Sequence, residues 1–356
     1  MIYEGYTIFT PGPVKMNKEI LEIGGKQTPY FRNKAFSEVI LTCEKLLLEF
    51  VNAPKDSRVV FLTASGTAGL ESVVMNLLDE NSNALVVNGG GFGQRFVDIC
   101  KSYDVKHKEI IAPNTNLADI DIKVDAQGFD TFIVNAHETS VGHLYDLEAI
   151  GKYCQKNNLL NIVDAISMFV TDELDMKKQH IDVVIVSSQK GLALAPGLTM
   201  IVLAPKALQQ VKDIKSHYFN FKNYLKDGER GQTPYTPAVT IILQLQVRLQ
   251  QIKKEGGITS FIAKANEIAK YFREQIKNLP FKPYTQYMPN AMTTLTPTNG
   301  KSAMEIVVDM ENNHKIMICP NGGELKDTIF RVSHMGDIKK EDVDNLINAL
   351  KKVRKL

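Results

Sequence analysis

The 356-residue sequence contains no tryptophan and only four cysteines, and neither sign of charge dominates it. Its 42 basic and 40 acidic residues give a net charge of +2, which argues against nucleic acid or an anionic membrane as a partner. No apolar run approaches the roughly 18 residues that a membrane span needs. The opening residues lack a basic region followed by a long apolar stretch, so we expect no signal peptide.

The four cysteines form no CxxC pair and have no metal-ligand spacing with histidine, so the sequence predicts no metal site. Cys43, Cys100 and Cys154 fall in helix-like stretches and are interpreted as small buried hydrophobic residues. Reduced thiols are typical of cytoplasmic proteins, and we expect a cytoplasmic protein here.

Short β-branched runs alternate with amphipathic stretches in the first 205 residues, which predicts an α/β fold with a mostly parallel sheet between helices. The predicted strands are 59–62, 84–87, 131–134, 161–163, 183–186 and 199–203, and the predicted helices are 36–51, 68–78, 93–102 and 147–157. Later helices at 240–254, 260–278 and 339–353, with strand-like pieces at 304–310 and 328–332, indicate a small C-terminal α+β domain. We therefore divide the chain into an extended segment (1–15) that packs near the small domain, a large domain (16–255) and the small domain (256–356).

Two of the predicted strands end in residues with useful chemistry. Asp164 follows one apolar run, and Lys190 follows another in a Ser-Ser-Gln-Lys loop. Strand ends of one polarity line the ligand crevice of an α/β sheet. An acid and a lysine placed there suit pyridoxal phosphate, whose aldehyde the lysine would hold as a Schiff base while the acid pairs with the ring nitrogen. Taken singly, Asp164 could be a helix cap or structural ion pair, and Lys190 a solvated surface residue.

Other strand ends add weaker signals. The small-residue loop around Ser65 opens a helix and could cradle a phosphate, or be an ordinary turn with a capping hydroxyl. The glycine-rich segment 89–93 does not match GxGxxG, which disfavours a dinucleotide, and it carries Phe92, either a ligand-facing aromatic or a core residue. A hydroxyl in the loop 137–142 could bond a cofactor oxygen, whereas His137 has no partner at zincin spacing.

Taken together, these segments resemble the class V aminotransferases, a group of fold-type I pyridoxal-phosphate enzymes. The resemblance covers nearly the whole chain, from Thr10-Pro11-Gly12-Pro13 to the Phe-Arg-Val-Ser-His-Met-Gly segment that contains Arg331. Its most specific part is Val-Asp-Ala followed by Ser-Gln-Lys at this spacing. The resemblance implies a large domain with a mostly parallel sheet of the seven-stranded type.

The resemblance also implies roles for individual residues. Lys190 would be the Schiff-base lysine and proton shuttle, and Asp164 would pair with the pyridine nitrogen. Phe92 would stack on the ring, where many relatives have tryptophan, and Thr139 would bond the phenolic oxygen. Arg331 would clamp the substrate carboxylate with its bidentate guanidinium.

Further implied roles concern the phosphate and the partner subunit. Gly12 would lie on the substrate side of the site. Thr233 and Thr236 match a loop that reaches the phosphate of the other subunit, although relatives often have tyrosine in place of Thr233. That loop implies a homodimer with shared active sites. The residues implied to hold the phosphate are Ser65, Gly66, Thr67 and Gln189.

The implied activity is transfer of an amino group from a small amino acid, of the alanine or serine type, to a 2-oxo acid such as pyruvate or glyoxylate by a ping-pong scheme. Transamination of 2-aminoethylphosphonate is an alternative, with Lys15, Arg32 and Lys34 as candidate phosphonate contacts. A cysteine desulfurase would need a mobile cysteine, for which Cys319 is the candidate. A non-catalytic scaffold with the same fold is the remaining hypothesis.

Overall fold

A computed structural model describes residues 4–112 and 124–353. Within these ranges the helices are α1 (Lys18–Gly24), α2 (Lys34–Phe50), α3 (Gly66–Leu77), α4 (Gly91–Ser102), α5 (Leu147–Lys156), α6 (Pro205–Leu208), α7 (Phe221–Gly228), α8 (Val239–Lys254), α9 (Gly257–Ile276), α10 (Ala303–His314) and α11 (Lys340–Val353). The strands are β1 (Thr7–Ile8), β2 (Arg58–Leu62), β3 (Asn83–Asn88), β4 (Lys106–Ile111), β5 (Thr131–Asn135), β6 (His137–Glu138), β7 (His143–Leu144), β8 (Leu160–Asp164), β9 (Val183–Ser187), β10 (Thr199–Leu203), β11 (Phe281–Pro283), β12 (Met292–Pro297), β13 (Ile316–Met317), β14 (Cys319–Pro320) and β15 (Phe330–Ser333).

The central sheet has seven strands in the order β2-β10-β9-β8-β5-β3-β4. Only β10 runs antiparallel to its neighbours. A short loop after β9 leads directly into β10, and a connection of that length can join antiparallel strands but not parallel ones. The strand ends of β5, β8 and β9 therefore meet at one edge of the sheet, which confirms the predicted α/β architecture.

Helices cover both faces of this sheet, which explains its near-continuous apolar strands. Successive residues of β9 enter opposite cores: Val184 belongs to a core that includes residues of α2, α5 and α8, whereas Ile185 belongs to one that includes residues of α3, α4 and α7. The residues of β5, β8, β9 and β10 are all buried. Full burial on two faces makes this sheet a rigid base for the loops at its edge.

A second sheet in the C-terminal part has the order β11-β12-β15-β14 and is antiparallel. It shares an apolar core with α9, α10 and α11. The N-terminal strand β1 pairs in parallel with β13, and Phe9 lies fully buried in the same core. No described helix combines the length and the apolar character needed to cross a membrane.

The prediction of a strand at 304–310 was wrong, because these residues belong to α10. The β-branched run suggested a strand, but the buried positions Ala303, Ile306, Val307 and Met310 recur with helical spacing. Ser302 and Glu305 also form a capping box, in which each side chain binds a free N–H of the first turn. The structure further contains β4 and β12, which the sequence patterns did not indicate.

Candidate active site

Lys190 lies in the turn after β9, where Ala193 N–H donates to its carbonyl over 2.8 Å. Arg248 supports the same turn by donating from Nε to the carbonyl of Leu192 at 2.8 Å. The Lys190 side chain is 9% exposed, and no hydrogen bond or ion pair from its amine occurs within the described residues. Burial lowers the pKa of Lys190 to about 8, against the opposing charge of Asp164. The fold thus presents a buried amine that is partly neutral near neutral pH.

Asp164 ends β8 directly beside Asn135, the last residue of β5. Asn135 Nδ2 donates to one carboxylate oxygen at 2.7 Å, and the N–H of Ile166 donates to the other at 2.9 Å. The carboxylate is buried and has no ion pair within the described ranges. Burial raises the pKa of Asp164 to about 6, while these two hydrogen bonds act in the opposite direction. A cation next to this carboxylate would offset the free-energy cost of burying its negative charge.

The N-terminus of α3 and the loop before it lie at the same edge of the sheet. Ser65 is the N-cap residue, yet its exposed hydroxyl makes no capping hydrogen bond. Gly66 allows a close approach, since a methyl group there would lie 2.6 Å from Cδ1 of Ile166. Thr67 accepts a hydrogen bond from Arg95 Nη1 at 2.8 Å, and Gln189 accepts one from the Ser187 hydroxyl at 2.7 Å. Free N–H groups and a helix dipole at this end suit an anion.

The Phe92 ring lies near both Lys190 and Arg95, the residue that contacts Thr67 at the start of α3. The Lys190 amine is 6.0 Å from the centre of its ring, and the Arg95 guanidinium carbon is 4.8 Å from it. Glu138 holds the Phe92 segment, because its buried carboxylate accepts hydrogen bonds from the N–H groups of Phe92 and Gly93 at 3.2 and 2.9 Å. Phe92 therefore faces the site rather than the core.

Thr139 and Arg331 are hydrogen-bonded to each other, and the charge of Arg331 acts on Lys190. The Thr139 hydroxyl donates to the Ser167 hydroxyl at 2.8 Å, and its carbonyl accepts from Arg331 Nη1 at 3.1 Å. His137 lies beneath them with its Nδ1 3.2 Å from the Ser167 carbonyl. Burial lowers the pKa of His137 to about 3, so the imidazole stays neutral. Gly12 reaches the lysine from the N-terminal segment, where an added methyl group would lie 2.7 Å from Lys190 Cδ.

Thr233 and Thr236 lie in the loop that leads into α8, and the N–H of Ala238 at the end of this loop donates to Thr63 Oγ1 at 2.8 Å. The buried Thr233 hydroxyl donates to the Tyr235 carbonyl at 2.8 Å, whereas Thr236 is exposed. Arg32 anchors the loop by donating to the carbonyls of Thr233 and Pro234 at 2.6 and 3.0 Å. The chain thus brings the other predicted residues together, whereas Thr233 is bonded within its own loop and Thr236 faces solvent.

Several residues of the site escaped the sequence predictions. Asn135 could have been inferred as the polar end of a strand neighbouring β8, and Arg95 follows Phe92 by one helical turn. Glu138 and Ser167 gave no usable signal, since their partners are distant in sequence. Among the described residues, no group of three or more histidine, cysteine or acidic side chains could hold a metal ion.

These residues fit pyridoxal phosphate. Lys190 offers an unpartnered amine, and the buried carboxylate of Asp164 lacks a cation that a protonated ring nitrogen would supply. The N-terminus of α3, with the free Ser65 hydroxyl, suits a phosphate. Phe92 supplies an aromatic face between these two ends.

Comparison with known proteins supports this assignment. The family model for class V aminotransferases matches residues 25–346. An uncharacterized aminotransferase of Helicobacter pylori is 27% identical over 350 residues, covering 96% of this chain and 92% of the relative. A 2-aminoethylphosphonate–pyruvate transaminase of Bacillus cytotoxicus is 22% identical and covers 97% of each chain. The solved alanine–glyoxylate aminotransferase of Nostoc sp. has the same fold, with a TM-score of 0.91, 22% identity and coverage of 99% of this chain and 96% of that one. The chain therefore belongs to the class V aminotransferase family and is a fold-type I, pyridoxal-phosphate-dependent transaminase.

Proposed function

We propose that this enzyme moves the amino group of a small L-amino acid, of the alanine or serine type, to pyruvate or glyoxylate. The observation that carries the proposal is the Lys190 amine, which is buried, has no hydrogen-bond partner in the described ranges and is subject to the charges of both Asp164 and Arg331. When bound, pyridoxal phosphate supplies an aldehyde that condenses with amines and a ring that accepts the electron pair left at the substrate α-carbon. The protein's contribution is to orient both partners and to move protons.

Lys190 would hold the cofactor in the resting enzyme and then move the α-proton of the substrate. Its lowered pKa supports that role, because only the neutral amine can accept a proton. Asp164 would keep the ring nitrogen protonated, and the Thr139 hydroxyl would turn from Ser167 to donate to the phenolic oxygen. Phe92 would stack on the ring. The proposed phosphate contacts are Ser65, Gly66, Thr67 and Gln189.

Arg331 supports an α-amino acid as the donor. A planar guanidinium binds a carboxylate with two parallel hydrogen bonds, and Arg331 points its fork toward the Thr139 side of the site. The alternative donor, 2-aminoethylphosphonate, is less well supported. Lys15 is paired with Asp342 at 2.8 Å, and Arg32 is committed to backbone carbonyls of its loop. Lys34, the third candidate, is an exposed residue at the start of α2.

A homodimer completes the proposal. Thr236 is exposed on a loop that Arg32 holds in place. Its hydroxyl would donate a hydrogen bond to the cofactor phosphate bound by the partner subunit. Thr233 is turned inward and supports the loop instead.

We further propose a cytoplasmic enzyme, as Cys43, Cys100 and Cys154 are buried free thiols. The division at residues 15 and 255 remains a proposal.

A donor panel tests the proposal. The holoenzyme is mixed with single L-amino acids or 2-aminoethylphosphonate, and loss of the visible cofactor band is followed in the half-reaction without an acceptor. We expect L-alanine or L-serine to react fastest and Lys190→Ala to slow the reaction by at least about a thousandfold. Lys101→Ala, an exposed change on α4, serves as the matched control. Fastest reaction with the phosphonate, or normal turnover by Lys190→Ala, would contradict the proposal.

A further inference from the structure

Arg331 has fewer free donors than a carboxylate clamp requires. Its Nη2 lies 3.0 Å from Cys319 Sγ and 2.6 Å from the Pro320 carbonyl, so both Nη2 hydrogens have acceptors. Nη1 uses one hydrogen on the Thr139 carbonyl. Nε is buried and has no hydrogen-bond partner among the described residues.

The geometry of guanidinium restricts how a carboxylate can bind. Two parallel hydrogen bonds require either the Nε/Nη2 edge or the Nη1/Nη2 edge. Each edge uses one Nη2 hydrogen, so bidentate binding must displace an acceptor that Nη2 already has. The unpartnered Nε favours the Nε/Nη2 edge, where an incoming carboxylate would also satisfy that orphaned donor.

Cys319 is the acceptor that can leave. Pro320 offers a backbone carbonyl in β14, whose position is set by pairing with β15. Cys319 stands directly opposite Arg331 in the same ladder, so its thiol reaches the guanidinium from a side chain that needs to rotate about only one bond. The thiol also donates a weak hydrogen bond to the Pro320 carbonyl at 3.3 Å, which rotation would exchange for another acceptor. Burial raises the pKa of the Cys319 thiol, so it is protonated at neutral pH and a weaker acceptor than a carboxylate.

We propose that Cys319 sets the affinity of the site for carboxylates: its thiol occupies an Arg331 donor in the free enzyme, and the substrate carboxylate displaces it. This inference rests on the proposed role of Arg331 as the carboxylate clamp. Cys319 is then a specificity-determining residue that opposes binding of the amino donor and the oxo acid alike.

The test compares Cys319→Ala with Cys319→Ser. Alanine removes the competing acceptor, so KM for the carboxylate donor falls about threefold to tenfold while kcat stays within about twofold. Serine keeps an acceptor, and KM stays at or above that of the unmodified enzyme. Ethylamine, which lacks the carboxylate, reacts in the half-reaction at the same rate with all three proteins.

A second measurement does not depend on turnover. In the pyridoxal form of the holoenzyme, pyruvate binds without reacting, and we expect it to slow alkylation of Cys319 by iodoacetamide in a saturable way. Arg331 lowers the pKa of this thiol, so separation of the two makes the thiol less reactive. Digestion and mass spectrometry distinguish Cys319 from the three buried cysteines.

Arg331→Gln separates this inference from the function on which it rests. If Arg331→Gln raises KM strongly and Cys319→Ala leaves it unchanged, the displacement is overturned and the carboxylate clamp stands. If Arg331→Gln leaves KM unchanged, both ideas fail. An equal effect of Cys319→Ala on ethylamine and on the amino acid would also overturn the inference, because it would indicate a general structural change.

Discussion

At the scale of single residues, opposing charges around Lys190 adjust its proton affinity. Burial is the dominant cause of its lowered pKa, and Arg331 and Arg95 act in the same direction. Asp164 opposes them. Because capture of the cofactor requires the neutral amine, its rate in the cofactor-free enzyme should rise with pH through a midpoint near 8.

Two variants should move this midpoint in opposite directions. Asp164→Asn removes a negative charge that favours the protonated amine, so the midpoint falls. Arg331→Gln removes a positive charge that disfavours it, so the midpoint rises. Stopped-flow measurement of cofactor capture between pH 6 and about 10 checks this prediction. Shifts in the same direction for both variants would contradict the electrostatic account.

At the scale of secondary-structure elements, β6 fixes the start of α4. Glu138 places a carboxylate at the helix N-terminus, where it accepts from the N–H groups of Phe92 and Gly93. It also accepts from the N–H of Ser140 at 3.1 Å, which ties the helix to the loop that carries Thr139. One buried side chain thus sets the relative positions of two proposed cofactor contacts.

Replacement of Glu138 should therefore weaken cofactor binding without touching the lysine. Glu138→Gln keeps the shape of the side chain but loses charge-assisted hydrogen bonds, and we expect the cofactor Kd to rise about tenfold. Titration of cofactor-free protein, followed by quenching of tyrosine fluorescence, measures this affinity. Lys101→Ala on the exposed side of α4 should leave it unchanged, and an equal loss in both variants would argue against a local effect.

Local sequence patterns predicted most of the central sheet, because strands that are buried on both faces consist of continuous apolar runs. They failed for α10, where the β-branched run Ile306-Val307-Val308 looks like a strand until the capping box of Ser302 is considered. They also could not place Cys319 against Arg331, since that contact depends on strand register. Asp164 and Lys190 were predictable because Asp164 is the last residue of one buried strand and Lys190 lies in the turn after another.

At the scale of the whole molecule, the proposed homodimer would give the exposed Thr236 a role in the site of the partner subunit. Thr236→Val should weaken cofactor binding while leaving KM for the amino donor unchanged, because the hydroxyl would serve only the partner's phosphate. Thr233→Val is the matched comparison, and its loss of an internal hydrogen bond should appear as lower thermal stability.

Analytical ultracentrifugation combined with cofactor titration checks this prediction. The enzyme should sediment as a dimer, and cofactor affinity should fall on dilution into the monomer range. A monomer that binds the cofactor with unchanged affinity at every concentration would rule out a shared site.

The segment that carries Gly12 links the C-terminal core to the active site. The segment that carries it begins in β1, which pairs with β13, and continues through Phe9 in the C-terminal core. It then passes so close to Lys190 that even a methyl group at Gly12 would crowd the lysine side chain. A recombinant version that began after Pro13 would lose β1, which pairs with β13, and would also lose the backbone that packs against the Lys190 side chain. Residues 7–13 therefore contribute to both the C-terminal core and the active site, and a shortened chain should start no later than Thr7.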